Sequence, residues 1–149
     1  MIKVKFSVRA GQGEPSGFDL GDILVEGEHG AANSGGHVPD QGMMIYPSVT
    51  LLLDSLRMLF SEEKKQISFT GVDTSFRLDF KCARKGLVSV SESGTLLGKS
   101  SLDDLSNAVL RSAQILADEE LSGLAATDPV QNDFGAALRD LRATVTRKQ

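Results

Sequence analysis

The sequence predicts a single α+β domain over residues 1–149, built on a mainly antiparallel sheet of about five to six strands with helices packed on one face. Three observations predict it. Residues 2–9 alternate apolar and polar side chains without error. Residues 43–60 form the longest apolar run, with its large side chains recurring at helical spacing. Residues 66–98 contain a series of short apolar-polar alternations joined by glycine- and serine-bearing turns, and two capped amphipathic stretches follow. The expected order is β-β-α-β-β-β-β-α-α. Hairpins and meanders favour antiparallel pairing, and three apolar helix stripes need a buried sheet face to pack on.

Taken in order, Ile2, Val4, Phe6 and Val8 interleave with Lys3, Lys5, Ser7 and Arg9, the pattern of a half-buried strand with one wet face. Gly11, Gly13, Pro15 and Gly17 punctuate a turn, and residues 18–26 read as a second strand. Residues 27–42 (GEHGAANSGGHVPDQG) read as a polar, glycine-rich loop; loops of this length in a compact domain tend to carry function. A short extended piece over 43–46 leads into the central helix. Pro47 suits a helical first turn, and Val49, Leu52, Leu53, Leu56, Leu59 and Phe60 form its apolar stripe. Leu51 and Met58 widen that stripe, and Asp54 and Arg57 mark a narrow polar side.

Beyond the charged tetrad Glu62 to Lys65, strands are expected at 66–70, 75–82, 87–91 and 95–98. Phe76, Leu78, Phe80 and Cys82 share one face of the second of these, which places Cys82 in the core. Ser101-Leu102-Asp103-Asp104 has the form of a capping box opening a helix with Leu105, Val109, Ala113 and Leu116 inward and Gly123 as its C-cap. Asp128-Pro129-Val130-Gln131 opens a last helix carrying Val130, Phe134, Leu138 and Leu141, with residues 142–149 expected to fray.

An apolar content of 40% and a charged content of 24% are ordinary globular values and argue against wholesale disorder. The N-terminus has no continuous apolar region of the secretory kind, and a single cysteine permits no internal disulfide, so a reducing, cytoplasmic compartment is expected. The central run is too short and too interrupted by charge to span a bilayer, which needs roughly 20 nearly uncharged residues. A net charge of −4, and basic rows with no aromatic residue among them, argue against nucleic-acid binding.

Several constellations could carry chemistry. Asp40, with Asp79 and Lys81, superficially resembles the split carboxylate-lysine signature of metal-dependent nucleases, in which two carboxylates hold Mg²⁺ and a lysine steadies charge on phosphate. The plainer reading is a loop turn plus a cross-strand ion-pair row. His29 and His37, with Glu26, Glu28 and Asp40 nearby, supply atom types for a transition metal, but a spacing of eight in a glycine-rich loop fixes no geometry, and no metal or cofactor is expected. No phosphate loop or nucleophile elbow is present, and Cys82 reads as packing.

The charge distribution says more than its sum. From Ala10 through Leu56 there are seven acids and no Lys or Arg over 47 residues. Read as more than a solvated surface, this is an electrostatic docking arm for a basic partner. The expected contact residues are Glu14, Asp19, Asp22, Glu26, Glu28, His29, His37 and Asp40.

At PDQGMMIYPSVTLLLDSL and FTGVDTSFRLDF the chain resembles a family of small uncharacterised bacterial proteins, in which a Pro-Asp-x-Gly-Met-Met-Ile-Tyr segment leads into a leucine-rich helix. The resemblance spans roughly residues 18–141 and carries no active site to transfer. In size, acidity and layout, though not in motif, the chain is similar to immunity proteins of bacterial toxin systems, which occlude a basic toxin domain. The expected function is therefore a non-enzymatic protein-binding domain, of immunity or inhibitor type, using the acidic arm and the 27–42 loop. The alternative is a metal-dependent nuclease or hydrolase using Asp40, Asp79 and Lys81.

Overall fold

The alternation at the start of the chain becomes β1 (Lys3–Val8), which pairs antiparallel with β2 (Leu20–Gly27). Register follows the hydrophobic pattern: Phe6 opposes Ile23 and Val4 opposes Val25 on the inner face, while Lys3 opposes Glu26 and Ser7 opposes Asp22 on the wet one. The computed structural model describes residues 1–148, and within them the 27–42 segment is not one long loop. It contains β3 (Gly30–Asn33), which folds back on β2 through a turn at Glu28 and His29. Gly-Ala-Ala-Asn has little strand propensity and only Ala32 to bury, so its pairing is dictated by the hairpin and not by side-chain pattern. The short β4 (Met43–Met44) pairs with the opposite end of β2, at Leu20 and Gly21.

The α+β class is as the sequence predicts, but the strands form two four-stranded sheets in place of one. In the first sheet β2 is the central strand. β1 occupies one side, β3 and β4 share the other, and the Ser112 hydroxyl caps the Val4 carbonyl on β1. The later strands β5 (Gln66–Thr70), β6 (Arg77–Cys82), β7 (Leu87–Glu92) and β8 (Thr95–Ser101) make their own antiparallel meander. Phe69, Leu78, Phe80, Val88 and Val90 fill its inner face.

The two sheets meet at a β-bulge. Val90 opposes Gly98 and Ser91 opposes Leu96, which leaves Leu97 as an extra residue in β8. Its carbonyl accepts the backbone N–H of His29, in the β2–β3 turn, at 2.8 Å. Glycine at 27 makes the approach possible: a Cβ there would lie 2.3 Å from the Leu97 oxygen.

The central run folds as α1 (Ile45–Phe60), beginning two residues ahead of Pro47, which sits within the first turn. All six residues of its expected stripe are buried, as are Ile45 and Tyr46, whereas Leu51 is 46% exposed and marks a wetter flank. The Ser101 hydroxyl accepts the Asp104 N–H at the start of α2 (Leu102–Glu119), and Leu105, Val109, Ala113 and Leu116 are buried as the pattern requires. Gly123 does not cap that helix. It lies in a separate 3-10 turn, Leu121–Gly123.

The last helix, α3 (Pro129–Lys148), runs on through the segment expected to fray, because Thr144 and Val145 extend the buried face one turn past Leu141. It packs on α1, with Tyr46 and Phe134 edge to face at 6.4 Å and 79°. Cys82, expected in the core, is only half-buried at the end of β6. No helix of the described residues is long and apolar enough to cross a membrane.

Candidate functional site

The most elaborate polar network forms where β1 ends. Its centre is Arg9, the last residue of the alternating pattern. Arg9 Nε and Nη2 donate to the two carboxylate oxygens of Asp22, both at 2.9 Å, and Nη1 and Nη2 donate to those of Asp40, at 2.6 and 2.8 Å. One guanidinium thus clamps two carboxylates in a forked geometry that lysine could not supply. Asp22 also accepts the Ser34 hydroxyl at 2.8 Å, and that hydroxyl in turn accepts the Ile23 N–H. Asp40 accepts the Gly42 N–H at 2.9 Å. The guanidinium lies flat over Gly42, so that a Cβ there would sit 2.4 Å from its central carbon.

Charge and proton affinity follow from these contacts. Arg9 holds both carboxyls below the ordinary carboxylate range, aided at Asp40 by the Gly42 N–H and opposed at Asp22 by partial burial. Asp40 first, then Asp22, raises the proton affinity of Arg9 in return.

Two loops are anchored here. The loop 34–42 is tied down through Ser34, Asp40 and Gly42. The loop 9–19 is closed by Gln12, whose amide donates to the carbonyls of Arg9 and Leu20 and accepts the Leu20 N–H at 2.6 Å. At its far end the Gly17 N–H donates to Asp128, whose carboxylate also accepts the Val130 N–H in the first turn of α3. These fixed loops hold apolar side chains out in water: Phe18 is 75% exposed and Val38 fully exposed.

The eight expected docking residues are not one free acidic surface. Asp22 and Asp40 are engaged by Arg9. Glu26 is exposed but stands directly across from Lys3, and Glu28 lies 3.4 Å from the amine of Met1. Asp19 is half-buried and accepts the Ser16 N–H; Glu14 is exposed with no ion-pair partner among the described residues. His29 contributes its backbone N–H to the sheet-sheet contact, and His37 Nε2 lies 2.6 Å from the Asn33 carbonyl. The residues Asp40 and Asp79 belong to separate networks. Asp79, on β6 beside Lys81, is bonded to Ser68 and Arg77, while both oxygens of Asp40 are occupied by Arg9. Among the described residues no three His, Cys, Asp or Glu side chains gather as a metal site would require.

Sequence reasoning placed Arg9 only on the wet face of the first strand and passed over Phe18 and Val38. One signal was available: an arginine ending an alternating strand, with a hairpin returning beside it, must face whatever the second strand places across from it. Among the described residues, the fold and this corner define an α+β protein of two antiparallel sheets and three α-helices, with one loop clamped by an arginine and a second closed beside it by Gln12. No family model, curated protein or solved structure matches the chain.

Proposed function

We propose that the chain is a non-enzymatic, cytoplasmic protein-binding domain of the immunity or inhibitor type, docking a basic partner through the 9–19 and 34–42 loops. The observation that carries this reading is the exposure of Phe18 and Val38 on loops fixed by side-chain and backbone hydrogen bonds. An apolar side chain held in water by a rigid loop loses little conformational entropy when a partner covers it, which is how interface anchors gain affinity. Glu14 and Asp19 flank Phe18 in sequence and supply the acidic surround that favours a basic partner. Asp22 and Asp40 serve from within, by setting the 34–42 loop in place.

The test uses three folded forms of the protein as baits in lysate of the native host: wild type, Phe18→Ser/Val38→Ser, and Glu14→Lys/Asp19→Lys. A protein retained by wild type is purified and its Kd measured against all three. The expectation is a loss of at least about tenfold, or ~1.4 kcal/mol, in each variant, with a basic partner. Equal affinity across the three forms would refute the docking surface.

A further inference from the structure

Away from the Arg9 corner, the fold brings together four cations that the sequence keeps apart. Lys64 and Lys65, between α1 and β5, and Arg84 and Lys85, in the turn between β6 and β7, line one open cleft of about 1100 Å³. A backbone bond ties the two segments together, the Cys82 N–H donating to the Lys65 carbonyl at 2.8 Å, and the Ala83 N–H donates to the Leu87 carbonyl at 2.7 Å to close the turn that carries Arg84 and Lys85. Among the described residues none of the four cations forms an ion pair, whereas Arg9 and Arg77 both have carboxylate partners.

Uncompensated like charges normally diverge on a convex surface. Here they surround a concavity whose apolar walls focus the potential inward. The cleft's own carboxylates are Glu62 and Asp103, two against four cations. The remaining imbalance matches a dianion better than a monoanion, and a phosphoryl monoester carries about −1.5 to −2 at neutral pH. Apart from Ser101 the rest of the lining carries no polar side chain of oxygen or nitrogen. Leu59, Phe60 and Val88 are buried within the wall, and the accessible apolar surface is that of half-buried Leu102 and of Leu87, which is 38% exposed. Such a lining offers an apolar body somewhere to lie once its charged end is held.

We propose that this cleft binds a ligand carrying a phosphoryl group on an apolar body, the phosphoryl group among Lys64, Lys65, Arg84 and Lys85 and the body against Leu87 and Leu102. The chemistry is shared by a soluble aryl or alkyl phosphate and by an anionic lipid headgroup. The reading is independent of the Arg9 corner.

Cys82 makes the test direct. It is the chain's single cysteine and it lines the cleft, so its alkylation by neutral iodoacetamide, followed by intact mass, reports occupancy. The probes are 2-naphthyl phosphate, 2-naphthol, inorganic phosphate and phosphatidate-bearing phosphatidylcholine vesicles. The expected result is that naphthyl phosphate slows alkylation about tenfold at saturation and naphthol does not, with protection lost in Lys64→Gln/Lys85→Gln, whose folding is checked by circular dichroism. Protection by the vesicles alone, lost in the same variant, also supports the proposal and assigns the lipid source. Equal protection by inorganic phosphate and naphthyl phosphate would overturn the apolar part. No protection by any probe, or protection unchanged in the variant, would overturn the whole. If Cys82 is unreactive in the free protein, the backbone amide shifts of Lys64, Lys85 and Leu87 with the same probes decide between the same outcomes.

Discussion

Replacing Arg9 with methionine keeps an unbranched aliphatic stem and removes both forked contacts. The Arg9 and Asp22 side chains are 29% and 19% exposed, between the surface pairs that contribute little and the buried pairs whose breakage costs 3–5 kcal/mol. Losing the Asp22 half should therefore destabilise the fold by about 2 kcal/mol, or about 4–8 °C in Tm for a chain of this size. The loss is measured by urea denaturation under circular dichroism, with amide exchange across 35–42 reporting release of the loop.

The pH dependence has a defined sign. Both carboxyls are held below their ordinary value of 3.8 in the folded state, so the unfolded chain takes up protons first as the pH falls. The stabilisation is complete well above that value and disappears as the pH drops through the folded values. The gap between wild type and Arg9→Met should accordingly be widest near neutrality and close on acidification. Adding Asp22→Asn to Arg9→Met should recover part of the loss, as a coupled pair requires. A variant within ~0.5 kcal/mol of wild type at pH 7, with unchanged loop exchange, would refute the clamp.

Three further outcomes are expected. Gly27→Ala drives a methyl into the Leu97 carbonyl and should cost about 2–4 kcal/mol in chemical denaturation, whereas alanine at Gly36, exposed with a positive φ and open space around it, should cost about 1 kcal/mol. Phe134→Ala empties a fully buried position against Tyr46 and should cost about 3–5 kcal/mol by the same measurement. Burial first, and then the charges of Asp19 and Glu120, push the Tyr46 hydroxyl up to about 12 from 10.0. The stability that this represents is intact below pH 10 and is lost as the pH rises through 12, and absorbance at 295 nm should show this single tyrosine ionising with unfolding.

The secondary structure was largely legible because local patterning decides it. The helix stripes and the six longer strands appear within a few residues of where periodicity puts them. β3 was not legible, since two alanines between a glycine and an asparagine carry no alternation to detect and the partner strand sets their conformation. The division into two sheets was equally hidden, because periodicity within a strand does not say which strand it pairs with.

The site was misplaced for a related reason. Charge is segregated along the chain, with bases at 3–9 and acids from 14 to 54, but antiparallel pairing sets those two segments side by side. Lys3 faces Glu26, and Arg9 reaches across 13 and 31 residues to Asp22 and Asp40. What reads as an acidic arm in one dimension is close to neutral along β1 and β2 in three. The cationic cleft was invisible for the opposite reason: two lysines from one turn and two bases from another converge only after β5 and β6 have paired.

The bulge at Leu97 acts as a length gauge. Its carbonyl is available to His29 only because β8 carries one residue more than β7 can match, so the contact depends on residue count and scarcely on side-chain identity. Substitutions along the outer face of the meander leave that count unchanged. Deleting a single residue between Thr95 and Gly98 would restore a regular ladder, withdraw the acceptor and leave the β2–β3 turn with nothing to seat against. Divergent sequences sharing this architecture are thus expected to vary freely in composition across β7 and β8 while keeping their spacing fixed.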